Sequence, residues 1–102
     1  MLVSTTPTRQ QRDWTFLTNH GHVLVHLHRN PEARVRDIAA AVGITERAVV
    51  GILGDLERDG YVTKERVGRR NAYVVHPTQR FRHPAEDSRP VGELLRIFDA
   101  SE

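Results

Sequence analysis

Apolar residues recur through the first half of the chain with a helical period. Val23, Leu24 and Leu27 share one face between Asn19 and Arg29, which predicts a helix there. Thr18 is placed to cap its first turn. Asn30-Pro31 ends it, because a residue before proline avoids the helical region. A second helix is predicted over Val35–Val42, with Ile38, Ala39 and Val42 inward and Gly43 as its stop. Ile44 is apolar, and Thr45 is a favoured cap for a third helix running from Glu46 to about Asp59. Val49, Ile52, Leu53 and Leu56 form the buried stripe of that helix, and Gly60 ends it.

Beyond Gly60 the period shortens to two. Tyr61–Val67 alternates along its length, and Ala72–His76 is a second β-rich run. The stretch Gly68-Arg69-Arg70-Asn71 between them reads as the loop of a hairpin. Pro77 closes the second strand, and the charged, proline-containing residues 78–90 read as a linking loop. Val91, Leu94, Leu95 and Phe98 then repeat at helical spacing within Pro90–Ala100, predicting a short amphipathic helix. The expected fold is mostly α with a β-hairpin: a winged helix-turn-helix with a three-helix core, a two-stranded wing and a C-terminal helix. Residues 1–12 are expected to form a flexible N-terminal arm, 13–77 the winged domain, and 78–102 a linker plus a helix that serves dimerisation.

Composition narrows the function classes. A chain of 102 residues, 38% apolar and 27% charged, fits one small globular domain. No apolar run is long enough to cross a bilayer. Residues 1–11 lack the apolar segment of a secretory leader, so the expected address is the cytoplasm. The absence of cysteine excludes a disulfide framework, a thiolate metal site and a cysteine nucleophile. The net charge is only +2, but it is unevenly placed. Lys64, Arg66, Arg69, Arg70, Arg80 and Arg82 stand against Glu65 alone, so the remaining chain is net acidic. A basic segment on an acidic body is a local anion site.

The second and third helices meet the demands of a helix-turn-helix. Ala39 supplies the small contact and Gly43 the turn. Ile38, Val42, Ile44, Val49 and Ile52 supply the anchors beneath. The outward face of the third helix is then Thr45, Glu46, Arg47, Val50, Gly51 and Gly54. Its N-terminal part would enter a major groove. Arg47 has the reach and the donors for a guanine edge, and Glu46 can accept from cytosine. Thr45 suits a phosphate or, like Val50, a thymine methyl. Gly51 and Gly54 would allow close approach of the helix backbone to DNA, or are simply tolerated on the surface. The wing offers Lys64, Arg66, Arg69, Arg70 and Asn71 to the backbone or the minor groove. A solvated charged hairpin that protects an edge strand is the plainer alternative.

The run Arg36-Asp37-Ile38-Ala39-Ala40-Ala41-Val42-Gly43-Ile44-Thr45-Glu46-Arg47-Ala48-Val49 and the later Leu56-Glu57-Arg58-Asp59-Gly60-Tyr61-Val62 resemble the winged helix-turn-helix regulators of the MarR/ArsR type. The Gly-Arg-Arg-Asn stretch at 68–71 is similar to their wing tip. The resemblance covers Leu17 to Pro77. It implies a homodimer bound to pseudo-palindromic double-stranded DNA, with the first and C-terminal helices building the dimer. Trp14, Phe16, Val91, Leu94, Leu95 and Phe98 are the expected interface residues. No cofactor and no membrane partner are expected, and any small-molecule effector is left unassigned.

Six histidines are present, and His20, His22, His26 and His28 crowd the first helix. His22 and His26 have the spacing of a shared metal, yet no third ligand lies near. Surface or interface roles suit them better, a pH-sensitive dimer interface is a lesser alternative, and no metal site is expected. His76 and His83 flank the basic segment and are candidates for added phosphate contact. No nucleophile–base pair or phosphate loop stands out, so an enzyme is not expected. The competing reading is a winged-helix protein-interaction module that uses the Trp14/Phe16 patch and has no DNA specificity of its own.

Overall fold

A computed structural model describes residues 14–99. The N-terminal arm expected over 1–12 and the end of the C-terminal helix at Ala100 lie outside them. The order is α1 (Asn19–Arg29), α2 (Val35–Val42), α3 (Glu46–Arg58), β1 (Val62–Val67), β2 (Arg70–Val75) and α4 (Val91–Ile97). Three helices packed on one another, a two-stranded hairpin and a last short helix form the expected winged helix-turn-helix.

Local signals set the helix ends. The Thr18 hydroxyl accepts from the Gly21 N–H at 3.2 Å, and the Thr45 hydroxyl accepts from the Ala48 N–H at 3.0 Å. Each satisfies a donor that the first turn leaves unpaired. Gly43 adopts φ +86°, a left-handed conformation that a side chain disfavours. There the Gly43 and Ile44 N–H groups both return to the Ala39 carbonyl, at 2.8 and 3.1 Å. This closure turns the chain from α2 into α3 within three residues.

The core is one cluster. Val23, Leu24 and Leu27 of α1, Ile38 and Ala39 of α2, and Val49, Ile52, Leu53 and Leu56 of α3 are buried together. The hairpin adds Val62 and Tyr73 to that cluster. Its strands pair antiparallel from Val62↔Val75 to Val67↔Arg70. The loop is therefore a tight turn at Gly68-Arg69, with Gly68 at φ +63°. Arg70 and Asn71, read from the sequence as loop, belong to β2. A two-residue loop holds the closing pair in register, and this extends the ladder by two positions.

The largest departure lies after the wing. Residues 78–90 do not run as a free linker. The Val91 N–H donates to the Gln79 carbonyl at 2.8 Å, and the Gly92 N–H to the Pro77 carbonyl at 2.9 Å. The Gln79 side chain donates to the Asp59 carbonyl at 2.7 Å, and the Tyr61 hydroxyl to the Arg80 carbonyl. These bonds fold the segment back onto the end of α3. α4 then buries Val91 and Leu95 to 3% and 1% exposure within the same core. Both residues were expected at a dimer interface. They are buried in the protomer's own core cluster instead.

Candidate nucleic-acid interface

α3 presents two faces of opposite character. Val49, Ile52, Leu53 and Leu56 are buried. Thr45, Glu46, Arg47, Val50, Gly51 and Gly54 are all exposed. Thr45 keeps its hydroxyl proton for donation while its oxygen caps the helix. Glu46 lies in the first turn, where negative charge complements the helix dipole. Arg47 has no ion-pair partner among the described residues. A Cβ added at Gly51 or Gly54 would meet nothing within 4 Å. The outer face is thus flat and unobstructed, with one available guanidinium near its N-terminal end.

All five wing residues singled out in the sequence are exposed, but they are not equivalent. The ladder places Lys64 opposite Tyr73 and Arg66 opposite Asn71. Strand alternation puts these on the same face as buried Val62, beyond the point where the core ends. The Arg66 Nε donates to the Gly68 carbonyl at 3.1 Å, across the turn. The Arg70 guanidinium donates to the Glu32 carbonyl at 2.6 Å. Lys64 and Arg69 have no hydrogen-bond or ion-pair partner among the described residues. His76 is engaged with the Thr63 hydroxyl at 2.6 Å, and the His83 Nδ1 accepts from the Ala85 N–H at 3.0 Å. Both histidines named for phosphate contact thus already have protein partners.

Behind this surface, histidines tie the helices together. The His20 Nε2 lies 2.8 Å from an Asp55 carboxylate oxygen, joining α1 to α3. The hydrogen bond to His20 is the main cause that holds the Asp55 carboxyl below its ordinary range. Burial opposes this, and the nearby Arg58 guanidinium reinforces it. His28 meets Asp99 at 2.5 Å and joins α1 to the residues after α4. Neither pairing was legible beforehand, since its partners lie 35 and 71 residues apart. Asp37 accepts the Arg34 N–H at 3.4 Å as part of the α2 cap. Among the described residues no group of three or more His, Asp or Glu is arranged to hold a metal ion.

The apolar residues expected at a dimer interface divide. Trp14 and Phe16 stack edge to face, with ring centroids 5.2 Å apart, and Phe16 is 93% exposed. Phe16 and half-buried Leu94 line one groove of about 490 Å³ with Leu17, Leu24, Leu56 and Phe81. Phe98 is half-buried. Ile97, which the helical pattern did not single out, is 72% exposed. No helix among the described residues is long and apolar enough to cross a membrane.

Comparison with known proteins agrees with this architecture. No curated protein matches the chain. Among solved structures it is similar to MepR, a transcription regulator of the Staphylococcus aureus multidrug efflux pump MepA. The identity is 24% and the TM-score 0.55, over 79% of this chain and 56% of MepR. The chain thus spans little more than half the length of that protein, and the likeness supports the fold. The model of the MarR family matches residues 15–70, from the approach to α1 through the wing turn. That match covers more than half of the sequence, and the chain belongs to the MarR family of winged-helix regulators.

Proposed function

We propose that this protein is a double-stranded DNA-binding transcription regulator that acts as a homodimer in the cytoplasm. The observation that carries the reading is the outer face of α3. It is exposed from Thr45 to Gly54, while the opposite face is locked into the core. In a helix-turn-helix that face enters the major groove. Arg47 would read a guanine edge and Thr45 would meet a phosphate. Lys64 and Arg69 would give the wing its contacts with the DNA backbone or minor groove. Two protomers would read half-sites about one helical turn apart. Trp14, Phe16, Leu94 and Ile97 offer the apolar surface for that pairing, and no catalytic role is assigned.

The test is fluorescence anisotropy with a labelled duplex from the gene's own upstream region, beside a scrambled duplex, across a salt series. Preferential, salt-dependent binding is expected. Arg47→Ala should shrink the preference, by about 1–3 kcal/mol at the base it reads. Arg69→Ala should weaken both duplexes alike and lower the salt slope by about 1.8, the loss of one phosphate contact from each protomer of the dimer. Absence of binding to either duplex at low salt would transfer the protein to the interaction-module reading.

A further inference from the structure

Beyond the Val62/Val75 pair and the adjoining Tyr73, the hairpin has little to hold it. Its outer half, 65–67 and 70–72, is exposed at every strand position except half-buried Ala72, and an unsupported two-stranded hairpin is marginal in water. Two hydrogen bonds supply a second line of attachment. The Tyr73 N–H, on the edge of β2 away from β1, donates to the Pro31 carbonyl at 3.1 Å. Three residues earlier the Arg70 Nη2 donates to the Glu32 carbonyl at 2.6 Å. Both acceptors lie in the short α1–α2 connection, immediately before the Arg34 cap of α2. The wing is therefore tethered to the start of the first helix of the helix-turn-helix, in addition to its covalent link to α3.

We propose that Arg70 is a positioning residue: it braces the wing against the α1–α2 loop and presets the angle between wing and α3, rather than contacting DNA itself. The proposal rests on the DNA-binding reading. Its chemistry is simple. A guanidinium has the length and the donors to reach a main-chain carbonyl beyond its own strand. A charged donor on a carbonyl is worth more than a neutral one. A wing held at its bound angle loses less freedom on docking, so affinity gains through preorganisation. The bound complex keeps the same phosphate contacts with or without the brace. Only the starting ensemble differs.

This separates Arg70 from a phosphate contact by two readouts on the full chain. The first is amide hydrogen exchange at Tyr73 in the protein alone. The second is the salt dependence of duplex binding. Arg70→Ala should speed Tyr73 exchange about tenfold, the weight of one charged hydrogen bond, and leave Val49 and Leu53 amides unchanged. It should raise Kd by the factor by which the braced fraction of wings falls in each protomer, equally at every salt concentration, and leave the slope untouched. Arg70→Met, which keeps the stem and removes the donors, should behave alike and guards against loss of the fold. Arg69→Ala should do the reverse, lowering the slope by about 1.8, one contact in each protomer, with Tyr73 exchange unaltered. A lowered slope in Arg70→Ala with Tyr73 still protected would make it a direct phosphate contact and overturn the brace. Faster Tyr73 exchange with unchanged Kd would reduce the bond to scaffolding and overturn the positioning role. If the unsubstituted protein binds no duplex, it is the DNA-binding reading that fails, and the brace loses its purpose with it.

Discussion

Gly51 and Gly54 are the least economical residues of α3 for stability. Each sits in a helix interior, faces open space and contributes no packing. Glycine there costs about 1 kcal/mol relative to alanine. Gly51→Ala is therefore expected to stabilise the protomer by about that amount, raising Tm by roughly 4–8 °C in a domain of this size. If the face lies against DNA, the added methyl should at the same time weaken duplex binding. Calorimetry and anisotropy on one variant give both numbers. A gain in stability with affinity unchanged would leave the glycines as surface residues without a part in docking. The residue scale is also where the sequence was least legible at the wing. Its count of cations marks a basic segment. It did not distinguish Arg69, which has no partner among the described residues, from Arg70, whose guanidinium is committed to a carbonyl 38 residues earlier. Charge is visible in one dimension, whereas what a side chain of that length reaches is decided by the fold.

The elements were legible where their determinants are local. α1, α2 and the start of α3 follow from period and caps, because Thr18, Gly43 and Thr45 act within one turn of where they sit. The hairpin turn was drawn two residues too long, since alternation does not reveal whether Arg70 and Asn71 pair. α4 is legible as a helix, but which of its apolar residues face the protomer's own core is not. Its apolar spacing says that one side is buried and is silent about what buries it. The return of 77–92 onto α3 depends on main-chain bonds such as Gly92 N–H to Pro77 carbonyl, which no side-chain pattern encodes. The consequence is measurable. Leu95→Ala should destabilise the protomer by about 2–5 kcal/mol, as for other buried leucines. Leu94→Ala, one residue away in the open groove, should cost clearly less. Urea unfolding read by far-ultraviolet circular dichroism compares the two. Equal, small losses would return α4 to the role of a detachable dimerisation arm.

At the scale of the whole molecule, the ties between elements set the pH range over which the fold is most stable. Asp55 joins α3 to α1 through His20, and its carboxyl is held below the ordinary range, first by that hydrogen bond. In the window it spans, the unfolded chain binds a proton that the folded chain refuses. Stability therefore rises with pH there. The contribution is present above the ordinary carboxylate value, about pH 4, and is lost as pH falls through the lower folded value. The opposite limb belongs to Tyr61 and Tyr73, which join the hairpin to the core. Burial is the main cause that raises both phenols above their ordinary value. The folded state then holds protons that the unfolded state releases, so this contribution is intact below about pH 10 and is lost as pH rises beyond it. Denaturant unfolding from acid to alkaline pH should thus give a plateau that falls at both ends. Asp55→Asn should lie below the unsubstituted protein at pH 7 and converge with it in acid, as protonation removes the same tie from both. Tyr73→Phe should flatten the alkaline limb and leave the acid limb unchanged. Parallel curves for Asp55→Asn and the unsubstituted protein across the acid range would mean that the His20–Asp55 contact contributes nothing to holding α1 against α3. The orientation of α3 against α1 would then rest on the apolar core.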